Sequence, residues 1–223
     1  MIPPREIALV FDMDNTVLGS HIDFAAIRRT LGAMLRETGA TDESDEALRR
    51  LAIGELVAHA AAHDAARGTA MAPRMWEIIT AHETQGLRDA AALDGAAGVL
   101  GTLRSRGYRV AILTNNSRAG ASVALEAAGL AHAAETVITR DDVRSMKPAP
   151  DGVVEALRRL GAAGGAYVIG DSWIDGAAAG GAGARFVAYR RTADDLQSHG
   201  VRPWRVINHL VELLAIDFGA VEP

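Results

Sequence analysis

Several common features are missing from this 223-residue sequence, and each absence excludes a class of protein or site. There is no cysteine, so disulfide bonds and thiolate metal sites are excluded. Charged residues or histidines interrupt every long apolar stretch, so we expect no membrane-spanning segment and no membrane partner. The first six residues lack the charged region and the long apolar run of a signal peptide. We therefore expect a cytoplasmic protein.

An excess of positive charge is also missing. The formal net charge is −5, which argues against nucleic acid as a partner. The hydrophobic content of 49% is ordinary for a globular protein and supplies enough apolar residues for a sizeable core. A chain of this length suits one large domain or a core with a smaller companion, and we expect a monomer or a homodimer.

Lysine is the scarcest charged residue. Of the 23 basic residues, 22 are arginine and one, Lys147, is lysine. Such a skew is typical of coding bias, so the retention of a single ammonium group suggests a function for it. A lysine is a compact point charge that approaches one phosphate oxygen, whereas arginine is a planar fork. Lys147 is therefore a candidate phosphate-site residue, with chance survival as the alternative.

The segment Ile7–Phe11 is a run of five apolar residues that ends abruptly at Asp12 and Asp14. Such a run is typical of a strand buried on both faces of a parallel sheet. Ligands of open α/β sheets bind just outside the carboxyl ends of the strands, so both aspartates fall at a candidate site. Close carboxylates repel unless a cation relieves them, and oxygen-rich sites suit magnesium. The alternative is an acidic turn with local hydrogen bonds.

Helix and strand patterns divide the chain into two parts. Strand signals disappear between about residues 23 and 90, where the spacing of apolar residues predicts three helices, over 23–37, 45–66 and 73–88. Alternation resumes from residue 96. It predicts strands over 108–113, 135–139, 166–170 and 185–189, and helices over 98–106, 120–128, 150–160, 173–182 and 204–214.

This order of elements predicts an α/β fold. We expect a doubly wound parallel-sheet core of Rossmann-like type with an inserted all-helical subdomain. The predicted core comprises residues 1–20 and 92–223, and the predicted insertion comprises residues 21–91. The two crossings, at about residues 19–22 and 91–94, are the expected hinges.

Three predicted strand ends and one loop carry polar clusters, which are Asp12 with Asp14 and Thr16, Thr114 with Asn115, Asp171 with Asp175, and Lys147. Together they supply the parts of a phosphoryl transfer site. A carboxylate can attack a phosphate ester and form an aspartyl phosphate. A second carboxyl group can protonate the leaving alcohol and later activate water. Hydroxyl and amide groups hold phosphate oxygens, a lysine offsets charge, and remote carboxylates anchor magnesium.

The pattern resembles the haloacid dehalogenase superfamily, in its phosphoglycolate phosphatase-like branch with a helical cap after the first motif. Its four motifs match Phe11-Asp-Met-Asp-Asn-Thr16, Leu113-Thr-Asn115, Lys147-Pro148 and Gly170-Asp-Ser-Trp-Ile-Asp175, in that order. One such motif alone would be a weak signal. Four motifs in the family's order, over most of the chain, are a specific one.

The resemblance implies a catalytic role for each matching residue. Asp12 would be the nucleophile and Asp14 the general acid/base. Thr114 and Asn115 would bind the phosphoryl group, and Lys147 would bridge that group to Asp12.

The resemblance also implies a bound Mg²⁺ ion. Its ligands would be Asp12, Asp171 and the backbone carbonyl of Asp14, with Asp175 supporting the site. Gly19 stands where related sequences often carry Asp or Glu, which affects the detail of the hinge but not the chemistry.

The expected function is a magnesium-dependent phosphatase that hydrolyses small phosphomonoesters, phosphoglycolate-like or sugar phosphates, through an aspartyl-phosphate intermediate. A phosphomutase of the same superfamily shares the core residues and stays open. A non-catalytic phosphate-binding or phosphoaccepting protein is a further alternative, but a phosphoaccepting domain would leave the inserted helices and Asp171 with Asp175 unexplained. A dehalogenase would not need Asp14, and a phosphonatase would need a lysine in the cap, which has none.

Overall fold

The computed structural model describes residues 1–220 and contains a six-stranded parallel sheet. The strands, in chain order, are β1 Ile7–Asp12, β2 Leu18–Gly19, β3 Ala91–Ala92, β4 Arg109–Leu113, β5 Thr136–Ile138, β6 Gly165–Gly170, β7 Arg185–Tyr189 and β8 Arg205–Ile207. The sheet order is β5-β4-β1-β6-β7-β8, while β2 and β3 form a small antiparallel ribbon. The predicted α/β class with a Rossmann-like parallel sheet is confirmed.

Helices account for most of the remaining chain. They are α1 Phe24–Glu37, α2 Asp45–Arg50, α3 Ile53–Arg67, α4 Met71–Gly86, α5 Ala96–Ser105, α6 Arg118–Ala127, α7 Asp151–Leu160, α8 Trp173–Gly181 and α9 Ala193–Gln197. Short 3₁₀ helices occur at Pro4–Glu6, Arg140–Asp142 and Leu210–Ala215. Within residues 1–220, no helix has both the length and the apolar character that crossing a bilayer requires.

Strand β1 lies between β4 and β6, and all six of its residues are buried. Alternate residues of the sheet, such as Val10, face α7 and α8 in an apolar cluster that also contains Val153 and Phe186. Asp12 is in register with Leu113, and Phe11 is in register with Ile169. Because these strands are parallel, the residues that follow β4 and β6 emerge beside Asp12. This register builds the candidate site.

The chain forms two compact units. One contains Met1–Ser20 and the chain from Ala90 onwards, and the other contains His21–Asp89. The second unit, called the helical unit below, consists of α1 to α4 around an apolar interior that includes Ile27, Leu31, Leu35, Leu56, Met75 and Ile79. The last three residues of the predicted core, 221–223, lie outside the described residues.

The single helix predicted over 45–66 is wrong, because the structure has two helices there. Leu51 and Ala52 adopt extended backbone angles between α2 and α3. The Glu55 carboxylate accepts a hydrogen bond from the Ala52 main-chain N–H at 2.6 Å, which starts a new helix. The Arg28 side chain donates to the Leu51 carbonyl at 3.2 Å and so satisfies a carbonyl that a continuous helix would use.

The amphipathic helix predicted over 204–214 is also wrong. The segment begins as β8, which pairs with the open edge of β7, and ends as the 3₁₀ helix Leu210–Ala215. Between them, the Glu212 carboxylate accepts hydrogen bonds from the main-chain N–H groups of Asn208 and His209 at 2.9 and 2.7 Å. The spacing of apolar residues fits a helix, but the start of the segment forms a strand because it pairs with the open edge of β7.

Candidate active site

The candidate active site lies at the carboxyl ends of three neighbouring strands. Asp12 is the last residue of β1, Thr114 directly follows β4, and Asp171 directly follows β6. Lys147 reaches the same edge from the loop before α7. The structure thus brings together residues more than 100 positions apart, because three parallel strands end side by side.

Asp12 and Lys147 form a buried ion pair. Lys147 Nζ lies 2.5 Å from Asp12 Oδ1 and 2.6 Å from Asp175 Oδ1, and it donates to the Leu113 carbonyl at 3.3 Å. The other oxygen of Asp12, Oδ2, accepts from the Thr16 hydroxyl at 3.1 Å. Burial alone would lower the pKa of Lys147, but the two carboxylates more than offset burial and hold that pKa above its usual value. The lysine therefore stays charged.

The side chain of Asn115 holds the loop that carries Lys147. Asn115 Nδ2 donates to the Lys147 carbonyl at 2.9 Å, and Asn115 Oδ1 accepts from the Lys147 main-chain N–H at 3.0 Å. The Lys147–Pro148 peptide bond in this loop is cis. Both ends of the side-chain amide are thus engaged with the lysine main chain, and the group of Asn115 that is left for a phosphate is its main-chain N–H.

Asp14 is held by the residues that follow β4. Its Oδ2 accepts from Asn116 Nδ2 at 2.8 Å and from the Thr114 hydroxyl at 3.4 Å. Its Oδ1 is buried and has no hydrogen-bond partner among residues 1–220. Asp14 therefore has one anchored oxygen and one buried oxygen without a partner among these residues.

The surroundings of Asp14 favour its neutral form. Burial raises the pKa of Asp14 to about 7, and the negative charge of Asp12 adds to the increase. Ser20, Lys147 and Asn116 act in the opposite direction. A pKa near 7 suits a group that must both give and take a proton.

Three carboxylates cluster beside the lysine. Oxygen atoms of Asp12, Asp171 and Asp175 lie within 4.8 Å of one another. Asp175 Oδ2 accepts from the Ser172 main-chain N–H at 3.1 Å at the start of α8. Arg191 donates to the Asp171 carbonyl through Nε at 2.7 Å, and one of its terminal nitrogens lies 3.8 Å from Asp171 Oδ2. Asp175 and Asp171 are thus each held by a neighbouring residue.

The electrostatics of this cluster suit a divalent cation. Burial, together with the charges of Asp12 and Asp175, raises the pKa of Asp171 to about 8. Burial also raises the pKa of Asp175 to about 6 against the effect of Lys147. With Asp14, four buried or half-buried carboxyl groups share one ammonium group. Carboxylate oxygens are the ligands that Mg²⁺ prefers, so these residues fit that ion.

Gly170, the glycine of the fourth motif, stands at a position that has no room for a side chain. A Cβ atom at Gly170 would lie 2.5 Å from Asp175 Cγ and 2.6 Å from Asp175 Oδ2. Only glycine allows the carboxylate of Asp175 to lie against the end of β6 while it contacts Lys147. Glycine at position 170 is therefore required for the packing of Asp175 as well as for the chemistry of the site.

Two contact residues of the site were not predicted from the sequence. Asn116 contacts Asp14, and Arg191 contacts Asp171. Asn116 carried a usable signal, because it stands three positions after the end of β4, at the edge of the sheet where the other side chains meet. Arg191 carried the same kind of signal, because it stands two positions after the end of β7, at the same edge of the sheet.

The sequence profile of haloacid dehalogenase-like hydrolases matches residues 8–183. The match covers most of the chain and contains all four motifs. It therefore confirms the family that the motifs predicted.

Curated relatives agree with this match. A phosphoglycolate phosphatase from Rhodospirillum rubrum is 31% identical over 81% of this chain and 78% of its own length. A phosphoglycolate phosphatase from Rhodobacter capsulatus is 29% identical over 87% of this chain and 91% of its own length.

A solved structure supports the fold. A haloacid dehalogenase-like hydrolase from Bacteroides fragilis has a TM-score of 0.68 and 22% identity, over 92% of this chain and 98% of that one. At that identity the likeness speaks for the fold alone. Profile, relatives and fold agree, and the chain belongs to the haloacid dehalogenase-like hydrolases.

Proposed function

We propose that this protein is a magnesium-dependent phosphatase that hydrolyses small phosphomonoesters through an aspartyl phosphate on Asp12. Hydrolysis of phosphoric monoesters as a class follows from the family and its phosphatase relatives. One observation carries the finer proposal: Asp12 is paired with a charged lysine, while Asp14, two residues later, has a pKa of about 7. The lysine offsets negative charge beside the nucleophile, and a pKa near 7 allows Asp14 to donate a proton near neutral pH.

In the first step, an oxygen of Asp12 attacks the phosphorus atom of the ester. The bond between phosphorus and the bridging oxygen breaks, and its electron pair stays with that oxygen, which takes the proton of Asp14. The products are an alcohol, an aspartyl phosphate and an ionised Asp14. Lys147, whose ammonium group contacts Asp12 Oδ1, offsets negative charge on the phosphoryl oxygens during the attack.

In the second step, water replaces Asp12 at phosphorus. The ionised Asp14 takes a proton from the water as its oxygen bonds to phosphorus, and the electron pair of the aspartyl bond returns to Asp12. Inorganic phosphate leaves, and both aspartates regain their starting protonation states. The pKa of Asp14, about 7, allows the same group to serve as acid and then as base near neutral pH.

Binding groups surround this reaction centre. The Thr114 hydroxyl, the Asn115 main-chain N–H and Lys147 would hold the phosphoryl oxygens. Asp12, Asp171 and the main-chain carbonyl of Asp14 would hold Mg²⁺, with Asp175 supporting the site. When bound, the cation would neutralise negative charge on the phosphoryl group.

The two parts of the chain would divide the work. We assign catalysis to residues 1–20 and 92–223, and substrate selection to residues 21–91 acting as a cap. The names of the two curated relatives favour phosphoglycolate as the first substrate to test. Sugar phosphates are the second class, since they are small phosphomonoesters with the same reacting group.

Phosphate release from phosphoglycolate and a panel of sugar phosphates, with Mg²⁺ or with a chelator, tests the proposal. We expect release that requires Mg²⁺ and that falls at least about 1,000-fold in the Asp12→Asn variant, which keeps the side-chain size and removes the nucleophile. Circular dichroism of the variant checks that it is folded. Most of the activity surviving in Asp12→Asn would contradict the mechanism. Transfer of phosphate to a second sugar hydroxyl, without release, would identify a mutase.

A further inference from the structure

Asn116, which no motif of the family assigned, touches Asp14. We infer that Asn116 is a positioning residue that holds the carboxyl group of Asp14 in place for proton transfer. The inference rests on the proposed phosphatase function and adds to it the residue that orients the acid.

The hydrogen bond between the two side chains has one possible direction. An amide nitrogen such as Asn116 Nδ2 can only donate, so Asp14 Oδ2, at 2.8 Å, must accept. The Thr114 hydroxyl also donates to this oxygen, at 3.4 Å, but it has a single proton and gives up this bond when it binds a phosphoryl oxygen. The bond from Asn116 is therefore the one that persists while the ester reacts.

Asn116 is the main anchor of the Asp14 side chain. Of the hydrogen bonds that residues 1–220 make to this carboxyl group, the one from Asn116 is the shorter, at 2.8 Å against 3.4 Å from Thr114. The other oxygen, Oδ1, is buried and has no hydrogen-bond partner among the same residues. Without the Asn116 bond, the carboxyl group should turn away from the bridging oxygen of the ester, which must take its proton in the first step.

Asn116 is itself held in place. Its main-chain N–H donates to the Thr114 hydroxyl at 3.1 Å, and its carbonyl accepts from the Arg140 main-chain N–H at 3.2 Å. Its side chain is buried, at 2% exposure. The neighbouring Asn115 has a different partner, the main chain of Lys147. Two adjacent asparagines thus serve different groups, one the acid and one the lysine.

This division gives a test based on the leaving group. Phenyl phosphate and p-nitrophenyl phosphate have similar shapes, but nitrophenolate leaves without a proton whereas phenolate leaves poorly without one. We expect Asn116→Leu, which keeps side-chain volume and removes the donor, to lower kcat/KM for phenyl phosphate on the order of 100-fold. For p-nitrophenyl phosphate, kcat/KM should change far less, because nitrophenolate needs no proton to leave. The later hydrolysis step, which also uses Asp14, does not enter kcat/KM, because kcat/KM reports only the steps up to departure of the leaving group. Asn116→Ala, which cannot overpack, should show the same pattern.

Asn115→Ala is the matched control. Loss of its clamp on Lys147 should lower kcat/KM for both esters by the same factor, because the lysine serves nucleophile and phosphoryl group whatever the leaving group. Equal losses on both esters in the two Asn116 variants would show a merely structural role and overturn the inference. If the wild-type protein hydrolysed neither ester nor any other phosphomonoester, the proposed function itself would fail instead.

Discussion

Polar side chains serve different ends in the two units of the molecule. In the sheet-containing unit, Asp12, Asp14 and Lys147 are buried and contact one another or neighbouring polar groups. In the helical unit, Ser44 and Asp64 accept hydrogen bonds from main-chain N–H groups at helix starts. The first arrangement concentrates charged groups in a buried place, where burial disfavours the charged form. The second supplies hydrogen-bond acceptors to main-chain N–H groups that have no partner within their helix. The first unit thus places its buried charges at the candidate active site, and the second uses these polar side chains to start helices.

Replacing Lys147 should have the largest effect of this comparison. Lys147→Met would leave Asp12 and Asp175 buried without their counter-charge, so we expect a loss of about 3–5 kcal/mol in unfolding free energy. Activity should fall on the order of 100-fold or more, because the charge opposite the phosphoryl group is lost. Urea unfolding and phosphate release measure the two effects. Added Mg²⁺ should restore part of the stability, and a variant as stable as wild type would refute the buried ion pair.

A methyl group at Gly170 should damage stability and chemistry together. Gly170→Ala would place its Cβ 2.5 Å from Asp175 Cγ, so we expect a loss of about 1–3 kcal/mol and a marked fall in kcat as Asp175 moves from Lys147. Gly98→Ala is the control, because Gly98 lies inside α5 with no atom within 4 Å of the added Cβ. It should stabilise the protein by about 0.5–1 kcal/mol without changing kcat. Equal behaviour of the two variants would contradict the packing of Asp175.

The acidic cluster should give the Mg²⁺-free protein an unusual dependence of stability on pH. Asp14, Asp171 and Asp175 have folded-state pKa values of about 7, 8 and 6, above the value of about 4 in an unfolded chain. The folded state then binds more protons than the unfolded state between about pH 4 and 8. In chelator, the unfolding free energy should therefore fall as pH rises through this window. Mg²⁺ should flatten the decline, and stability that rises over the window in chelator would contradict the shifts.

The smallest effect is expected in the helical unit. Ser44→Ala removes a side-chain oxygen that accepts from the Ala47 main-chain N–H at 3.2 Å at the start of α2. We expect a loss of about 1 kcal/mol of stability and no change in kcat for p-nitrophenyl phosphate. Thermal unfolding and steady-state kinetics measure both. A large fall in kcat in a folded Ser44→Ala protein would contradict the view that this side chain serves folding and not catalysis.

The sequence predicts the parts of this molecule that local pattern determines. The apolar run before Asp12 identified the central strand, and polar residues after the other strands identified the edge where the site forms. The family resemblance then gave each residue a role. These features are readable because parallel strands end at one edge whatever the details of their connections.

Features that depend on distant partners could not be read in the same way. The apolar spacing in residues 204–214 fits a helix, and only the open edge of β7 turns its start into a strand. At the break before Ile53, the Leu51 carbonyl accepts a hydrogen bond from Arg28, 23 positions earlier in the chain. The contact of Asn116 with Asp14 joins residues 102 positions apart. Helix α9, Ala193–Gln197, was missed because it spans only five residues.

The central claim is that Asp12 carries the phosphoryl group and Asp14 manages the protons. The most direct measurement is mass spectrometry of acid-quenched protein after mixing with p-nitrophenyl phosphate and Mg²⁺, with peptide mapping of the modified residue. In Asp14→Asn, which can still be phosphorylated by an ester with a good leaving group but lacks the base for hydrolysis, phosphate should accumulate on Asp12. Asp12→Asn should acquire none. Phosphate on another residue, or an unmodified Asp14→Asn protein that still releases nitrophenolate, would contradict the mechanism.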